Sequence, residues 1–348
     1  MKAKHNKTSL AEMLKDLKSA SRIYHPSRFW MELNMEHNEQ LSDSGLENFK
    51  RSINGKYFGF GWNIFGIIIH EFFPFLHSFV RGNFKPFISG RFRNYNLNLK
   101  GNVKKFNNIT AFFYKVYVCN LFDYVSRLDK LNIFKKIKEP SIGNPFLIEY
   151  KGRVLSQDLC NSIHEFYSAI KSRKLTGIKN IAEIGAGYGR LAYIFLKIIP
   201  NATYTIIDIP PALFVSQWYL SRVFHKEKIF FYRRFKSYKK IKKEFESSRV
   251  RFLMADQIEL LPKKSFDLMI NVSSLHEMKR NQIKNFIKQI DRLTKGTCYI
   301  KEWYRSMTKD NHWITQKEYP IPSEWEIISS RFPHPIQTWF FDTLYRLY

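Results

Sequence analysis

The sequence predicts an α/β fold: a parallel sheet with helices on both faces, preceded by a mainly helical N-terminal region. Three observations carry this. From Asn180 onward, short β-rich runs alternate with helical stretches, as expected of parallel strands joined by crossover helices. Before about residue 140 the 348-residue chain shows helical patterning and aromatic clusters but neither repeats nor that alternation. One apolar run, "NIAEI", stops at three glycines on alternate positions, Gly185, Gly187 and Gly189, and the chain then becomes helical.

Taken in order, residues 1–140 form the helical region, and "KEPSIGNP", Lys138 to Pro145, reads as a linker because Pro and Gly cluster there. In "SQDLCNSIHEFYSAIKSR" Ser156 can cap a helix whose apolar Leu159, Ile163, Phe166 and Ile170 fall at three- and four-residue steps. The strands are "NIAEI", "ATYTIID", "RVRFLMA", "FDLMINV" and "TCYIKEW", with helices starting near Tyr188, Pro211 and Asn281. Between the second and third strands lies the basic, aromatic insertion "FHKEKIFFYRRFKSYKKIKKEFESSR", either a solvated amphipathic helix or a nucleic-acid surface. Residues 141–305 thus make the sheet domain, and 306–348, carrying Trp313, Trp325 and Trp339, an extension that packs on the sheet.

Composition narrows the setting. Fifty-seven Lys and Arg against 30 Asp and Glu give a net charge of +27, which brings polyanionic partners into consideration, although biased composition produces the same excess. Cys119, Cys160 and Cys298 lie far apart without a C-x-x-C pair, which fits a reducing compartment. The opening "MKAKHNKTSLAEMLKDLKSA" has no apolar core, so no secretory signal is read and a cytoplasmic location is expected. The most hydrophobic stretch, Tyr57 to Val80, is interrupted by Asn63, His70, Glu71, Pro74 and His77 and reads as a buried or interfacial helix, leaving peripheral membrane contact open.

The glycine spacing separates the nucleotide-binding possibilities. A dinucleotide G-x-G-x-x-G would need glycine where Arg190 stands, and a Walker loop would need Gly-Lys-Ser/Thr where Arg190, Leu191 and Ala192 stand. What remains is E-x-G-x-G-x-G from Glu183, followed by a second strand ending in Asp208, a third followed by "ADQIE" with Asp256 and Gln257, and a fourth running "FDLMINVSSLHEM". In these features the chain resembles the class I S-adenosylmethionine-dependent methyltransferases, with their Rossmann-like sheet. The resemblance implies S-adenosylmethionine as cofactor, held by Glu183, Gly185, Ala186, Gly187, Gly189, Asp208, Ile209, Asp256, Gln257 and Asn271. It assigns Asp208 to the ribose hydroxyls and Asp256 to the adenine. "EIGAGYGRLAYIFL", "DIPPALFVSQWYL" and "SSLHEM" resemble more closely the sugar O-methyltransferase family of bacterial polysaccharide biosynthesis, and "RFWMELN" and "GNPFLIEYKGRVLSQDLCNS" extend that likeness upstream.

That second resemblance implies a sugar or glycan acceptor, free, nucleotide-linked or lipid-linked, with residues 1–140 as an acceptor-side cap. Methyl transfer to an alcohol needs a group to take the hydroxyl proton. His276, with the right intrinsic pKa, and Glu277 are the candidates, with Ser273, Ser274 and Asn271 positioning them. No metal site is assigned, because both "HEFFPFLH" and "HEMKR" lack the second His of H-E-x-x-H. Two rivals stand beside this reading: an RNA methyltransferase using the basic surface, and a non-catalytic binding protein of the same fold.

Overall fold

The computed structural model of the chain describes residues 8–52, 93–95, 108–171, 174–307, 313–337 and 339–348. The β-rich runs form strands β1 (Asn180–Ile184), β2 (Thr203–Asp208), β3 (Ile229–Phe230), β4 (Val250–Met254), β5 (Phe266–Val272) and β6 (Thr294–Trp303). Two more follow, β7 (Glu326–Arg331) and β8 (Phe340–Arg346). They build one Rossmann-like sheet in the order β7-β8-β6-β5-β1-β2-β4-β3. β8 is antiparallel to both its neighbours, and the pairs from β6 across to β3 are parallel.

One expectation is corrected here. The segment 306–348, read from sequence as packing on the sheet, enters it: β8 pairs with β6 along Phe340–Arg346, and β7 forms the edge. The physical reason is pairing of buried polar groups that do not look strand-like in sequence. Asp342, 3% exposed, accepts hydrogen bonds from the Arg331 guanidinium and from Tyr299 Oη at 3.0 Å, so it can sit inside the sheet.

The period-two alternation of side chains gives the sheet two apolar faces. Ile181, Tyr204, Ile206, Phe252, Leu268, Ile270 and Tyr299 face one cluster, joined by α3 (Asn108–Leu128), α4 (Gln157–Ile170), α5 (Arg190–Ile198) and α6 (Ala212–Val223). Ala182, Ile207, Leu253, Met269, Cys298 and Ile300 face the other, under α7 (Tyr238–Ser247) and α8 (Arg280–Leu293). Each fully buried Ile or Leu contributes about 1.5–3 kcal/mol, and the sheet presents them in rows. Ser156 caps α4 through Leu159 N at 3.0 Å, as its sequence suggests.

The lysine-rich part of the basic insertion is α7. Ile241 and Phe245 face inward, Phe245 lies against Phe230 at 5.3 Å between ring centroids, and Lys239, Lys240, Lys242 and Lys243 are exposed. Its lysines are therefore the solvated face of an amphipathic helix, and Phe245 is not free to stack on a base. The hydrophobic stretch 57–80 lies outside the described residues; among those described, no helix is long and apolar enough to cross a membrane.

Among the described residues, the longer helices ahead of this body are α1' (Leu10–Ser19), with a Ser9–Glu12 capping box, and α2' (Arg28–Ser44), capped by Ser27. They form an arm across the loops at the carboxyl edge of the sheet. Thr8 Oγ1 donates to Tyr232 O at 2.8 Å, Tyr24 Oη to Glu259 at 2.7 Å and Ser27 Oγ to Glu277 O at 2.8 Å. Asn34 Nδ2 donates to Pro210 O at 3.3 Å, and Gln282 Nε2 reaches Ile23 O and His25 O at 3.0 and 2.7 Å. A small antiparallel sheet also pairs Arg93–Tyr95 with Leu147–Tyr150, and the latter with Arg153–Leu155.

Candidate active site

Strand order reverses between β1 and β5: the chain fills one side of β1 with β2, β3 and β4, then crosses to β5 on the other. In open α/β sheets the crevice at the carboxyl ends of such strands is where ligands bind. The glycines stand there. Gly185, Gly187 and Gly189 have φ of +70°, +58° and +85°, conformations that side-chain-bearing residues rarely adopt. A Cβ on Gly189 would lie 2.7 Å from Leu220 Cδ1, and one on Gly185 would collide with Ser274 Oγ, so β1 and β5 end in contact.

Asp208 braces the turn from β2. Its carboxylate accepts from Gly187 N at 3.0 Å and from Ile209 N at 2.7 Å, and burial pushes its pKa up to about 7 against the pull of those N–H groups. Glu183, 3% exposed beneath the turn, accepts from Tyr204 Oη at 2.7 Å. Burial raises its pKa to about 8, with the Tyr204 bond and the nearby Arg190 pulling the other way. Ala186 is buried in the turn.

Beyond β4, Asp256 keeps one oxygen on Arg234, while its Oδ1 is buried with no hydrogen-bond partner. Arg234 also faces Asp16 of the arm at 3.7 Å. Gln257 follows Asp256. Its side chain is 1% exposed, accepts from Met254 N and donates to Arg233 O, each at 2.9 Å, and so braces its own turn. Asn271, fully buried at the end of β5, donates to Ile184 O at 2.9 Å and Ser274 Oγ at 2.7 Å, leaving Oδ1 unpartnered.

The turn after β5 holds the two candidate bases. Ser273 takes a left-handed φ of +54°, and the chain then folds His276 inward, 2% exposed. Sequence reasoning missed its partner, Glu302 of β6, which is completely buried. Glu302 accepts the backbone N–H groups of Ser274, Leu275 and His276 at 3.1, 3.2 and 3.1 Å, and it also bonds His276 Nδ1. The only sequence signal was an acid one residue short of the end of an apolar strand. Trp303 stacks on the imidazole with centroids 5.0 Å apart and planes 17° apart.

A carboxylate on Nδ1 fixes the tautomer with its proton on Nδ1 and the lone pair on Nε2. Burial pushes the His276 pKa down, but the Glu302 charge and hydrogen bond outweigh it and the net shift is upward. Glu277 Oε1 lies 3.6 Å from Nε2. The arrangement is an oriented, proton-accepting nitrogen at the end of β5, beside a glycine turn and an acid at the ends of β1 and β2.

No family model matches the chain, and neither does any curated protein. Solved structures do show likeness. The PH0226 protein from Pyrococcus horikoshii OT3 aligns at 10% identity and a TM-score of 0.36, over 53% of this chain and 91% of its own. A mitomycin 7-O-methyltransferase aligns at 13% identity and 0.33, over 54% of each chain. The magnesium protoporphyrin IX methyltransferase from Synechocystis PCC 6803, solved with bound SAM, aligns at 11% identity and 0.38, over 55% of this chain and 83% of its own.

Proposed function

We propose that the chain is an S-adenosylmethionine-dependent O-methyltransferase whose acceptor is a sugar hydroxyl. The observation that carries the reading is the convergence, at one sheet edge, of the glycine turn, Asp208 and the His276–Glu302 pair. The residues present fit the cofactor. Two acceptors buried at this edge without partners, Asp256 Oδ1 and Asn271 Oδ1, suit a ligand rich in amino and hydroxyl donors. Glu183, the 185–189 turn, Asp208, Ile209, Asp256 and Asn271 would hold it, while Gln257 supports the turn that carries Asp256. When bound, the cofactor supplies an electrophilic methyl group on a sulfonium.

The remaining chemistry belongs to the protein. His276 Nε2 takes the acceptor's hydroxyl proton as the oxygen becomes nucleophilic. Glu302 holds the ring in the accepting tautomer and stabilises the imidazolium that forms, as a buried carboxylate does for a catalytic histidine. Glu277, 3.6 Å from Nε2, adds a second negative charge beside that cation, which favours His276 over Glu277 as the base. The arm of residues 8–44 lies over the edge, where shielding from water would serve the transfer. The sugar hydroxyl rests on the resemblance of the glycine and "SSLHEM" segments; a nucleotide-linked or lipid-linked acceptor would give part of the +27 charge a function.

Titration calorimetry with S-adenosylhomocysteine tests the cofactor directly. Wild type is expected to bind at micromolar affinity and Asp208→Ala to lose that binding; a well-folded wild type that shows no heat overturns the reading.

A further inference from the structure

We propose that the arm completes the cofactor site, with Asn34 and Asn38 accepting hydrogen bonds from the hydroxyl or amino donors of the bound nucleoside. This rests on the cofactor reading of the same edge and adds residues from a segment that the glycine motif does not touch.

The inward face of α2' sets three polar side chains, Asn34, His37 and Asn38, between the core residues Leu33 and Leu41. Asn34 is 7% exposed, His37 is fully buried, and Asn38, one turn beyond Asn34, is half-buried. Asn34 Oδ1 and Asn38 Oδ1 are both buried without a hydrogen-bond partner. A buried amide oxygen left unpaired is destabilising, so two on one helix face, four residues apart, mark a surface that awaits donors. Burial drives the His37 pKa down to about 3, so the imidazole between them is neutral and does not repel a cationic ligand.

Position then names the ligand. Ser27, at the start of α2', bonds the Glu277 carbonyl beside the proposed base, whereas Asn34 bonds the Pro210 carbonyl, two residues beyond Asp208. Seven helical residues span about 10 Å, so the helix runs from the reacting end of the crevice toward the loop that carries the ribose-binding acid. Asn34 and Asn38 therefore lie over the nucleoside end. Asp256 Oδ1 and Asn271 Oδ1 are further buried acceptors along the same sheet edge. A ribose diol and an exocyclic amine supply the donors that such a set lacks.

The test uses the full chain and S-adenosylhomocysteine as probe, with Asn34→Ala and Asn38→Ala titrated calorimetrically and the unliganded melting temperature of each variant recorded. The expected result is a tenfold or greater loss of affinity in Asn34→Ala and a smaller one in Asn38→Ala, with the unliganded melting temperature of Asn38→Ala not lowered. Trypsin cleavage within residues 8–44 should also slow when the ligand is added to wild type but not to Asn34→Ala. If wild type binds and both variants bind within twofold of it, the inference falls while the cofactor reading stands. If wild type does not bind, the cofactor reading itself has failed and the inference falls with it. If Asn34→Ala does not fold, Asn38→Ala alone decides, and an unchanged affinity there overturns the proposal.

Discussion

His276 and Glu302 divide the work of one proton transfer, and their division is measurable. Because the net pKa shift of His276 is upward and the base must be neutral to act, turnover should rise with pH through a midpoint above the ordinary 6.5. Glu302→Gln removes the charge that holds the midpoint up and the oxygen that fixes the tautomer. It should lower kcat by roughly 10²–10⁴ and move the midpoint to lower pH, with S-adenosylhomocysteine affinity little changed. An unshifted pH profile would assign Glu302 to the turn alone. Gly189→Ala meets both a φ of +85° and Leu220 Cδ1 at 2.7 Å, so denaturant unfolding should show a loss of about 1–3 kcal/mol. The sequence made the glycines legible because their chemistry is local. Glu302 was not legible, because its role depends on a neighbouring strand 26 positions away in the chain.

Secondary elements repeat this contrast. β1, β2, β4, β5 and β6 were readable because buried parallel strands are runs of β-branched and aromatic residues bounded by polar turns. β7 and β8 were not, because "EIISSR" alternates weakly and "FFDTLYR" carries an Asp and a Thr whose burial is tolerated only after pairing. The consequence is testable. β8 lies between β6 and β7 and bonds to both, so ending the chain after Arg331 would strip β6 of its partner and leave an apolar edge. Such a truncation should abolish cooperative thermal unfolding and yield aggregated protein. A soluble, cooperatively melting product would mean that the last strand is an accessory.

Across the whole molecule, a buried and a half-buried carboxylate couple stability to pH. Glu183 and Asp208 have folded pKa values raised to about 8 and about 7, above the ordinary 4.5 and 3.8. The folded state therefore binds more protons than the unfolded state between those limits, and stability should fall as pH rises from about 5 to 8. Melting temperatures across that range check the sign, and Glu183→Gln, which cannot ionise, should flatten the slope. Ligand hydroxyls donating to Asp208 would favour its ionised form, so binding of S-adenosylhomocysteine at pH 7 should release protons. Calorimetry in buffers of differing ionisation enthalpy reads this directly, and proton uptake would count against the assigned role.

The arm has a history as well as a position. Thr8 and Ile23 are made before the sheet, and their partners Tyr232 and Gln282 lie 224 and 259 residues later. At about 5–20 residues per second, a ribosome takes roughly 10–50 s to supply them. Throughout that interval α1' and α2' have no sheet edge to rest on, with Met13 and Leu33 still unburied, so a segment made before the sheet is among the last to find its place.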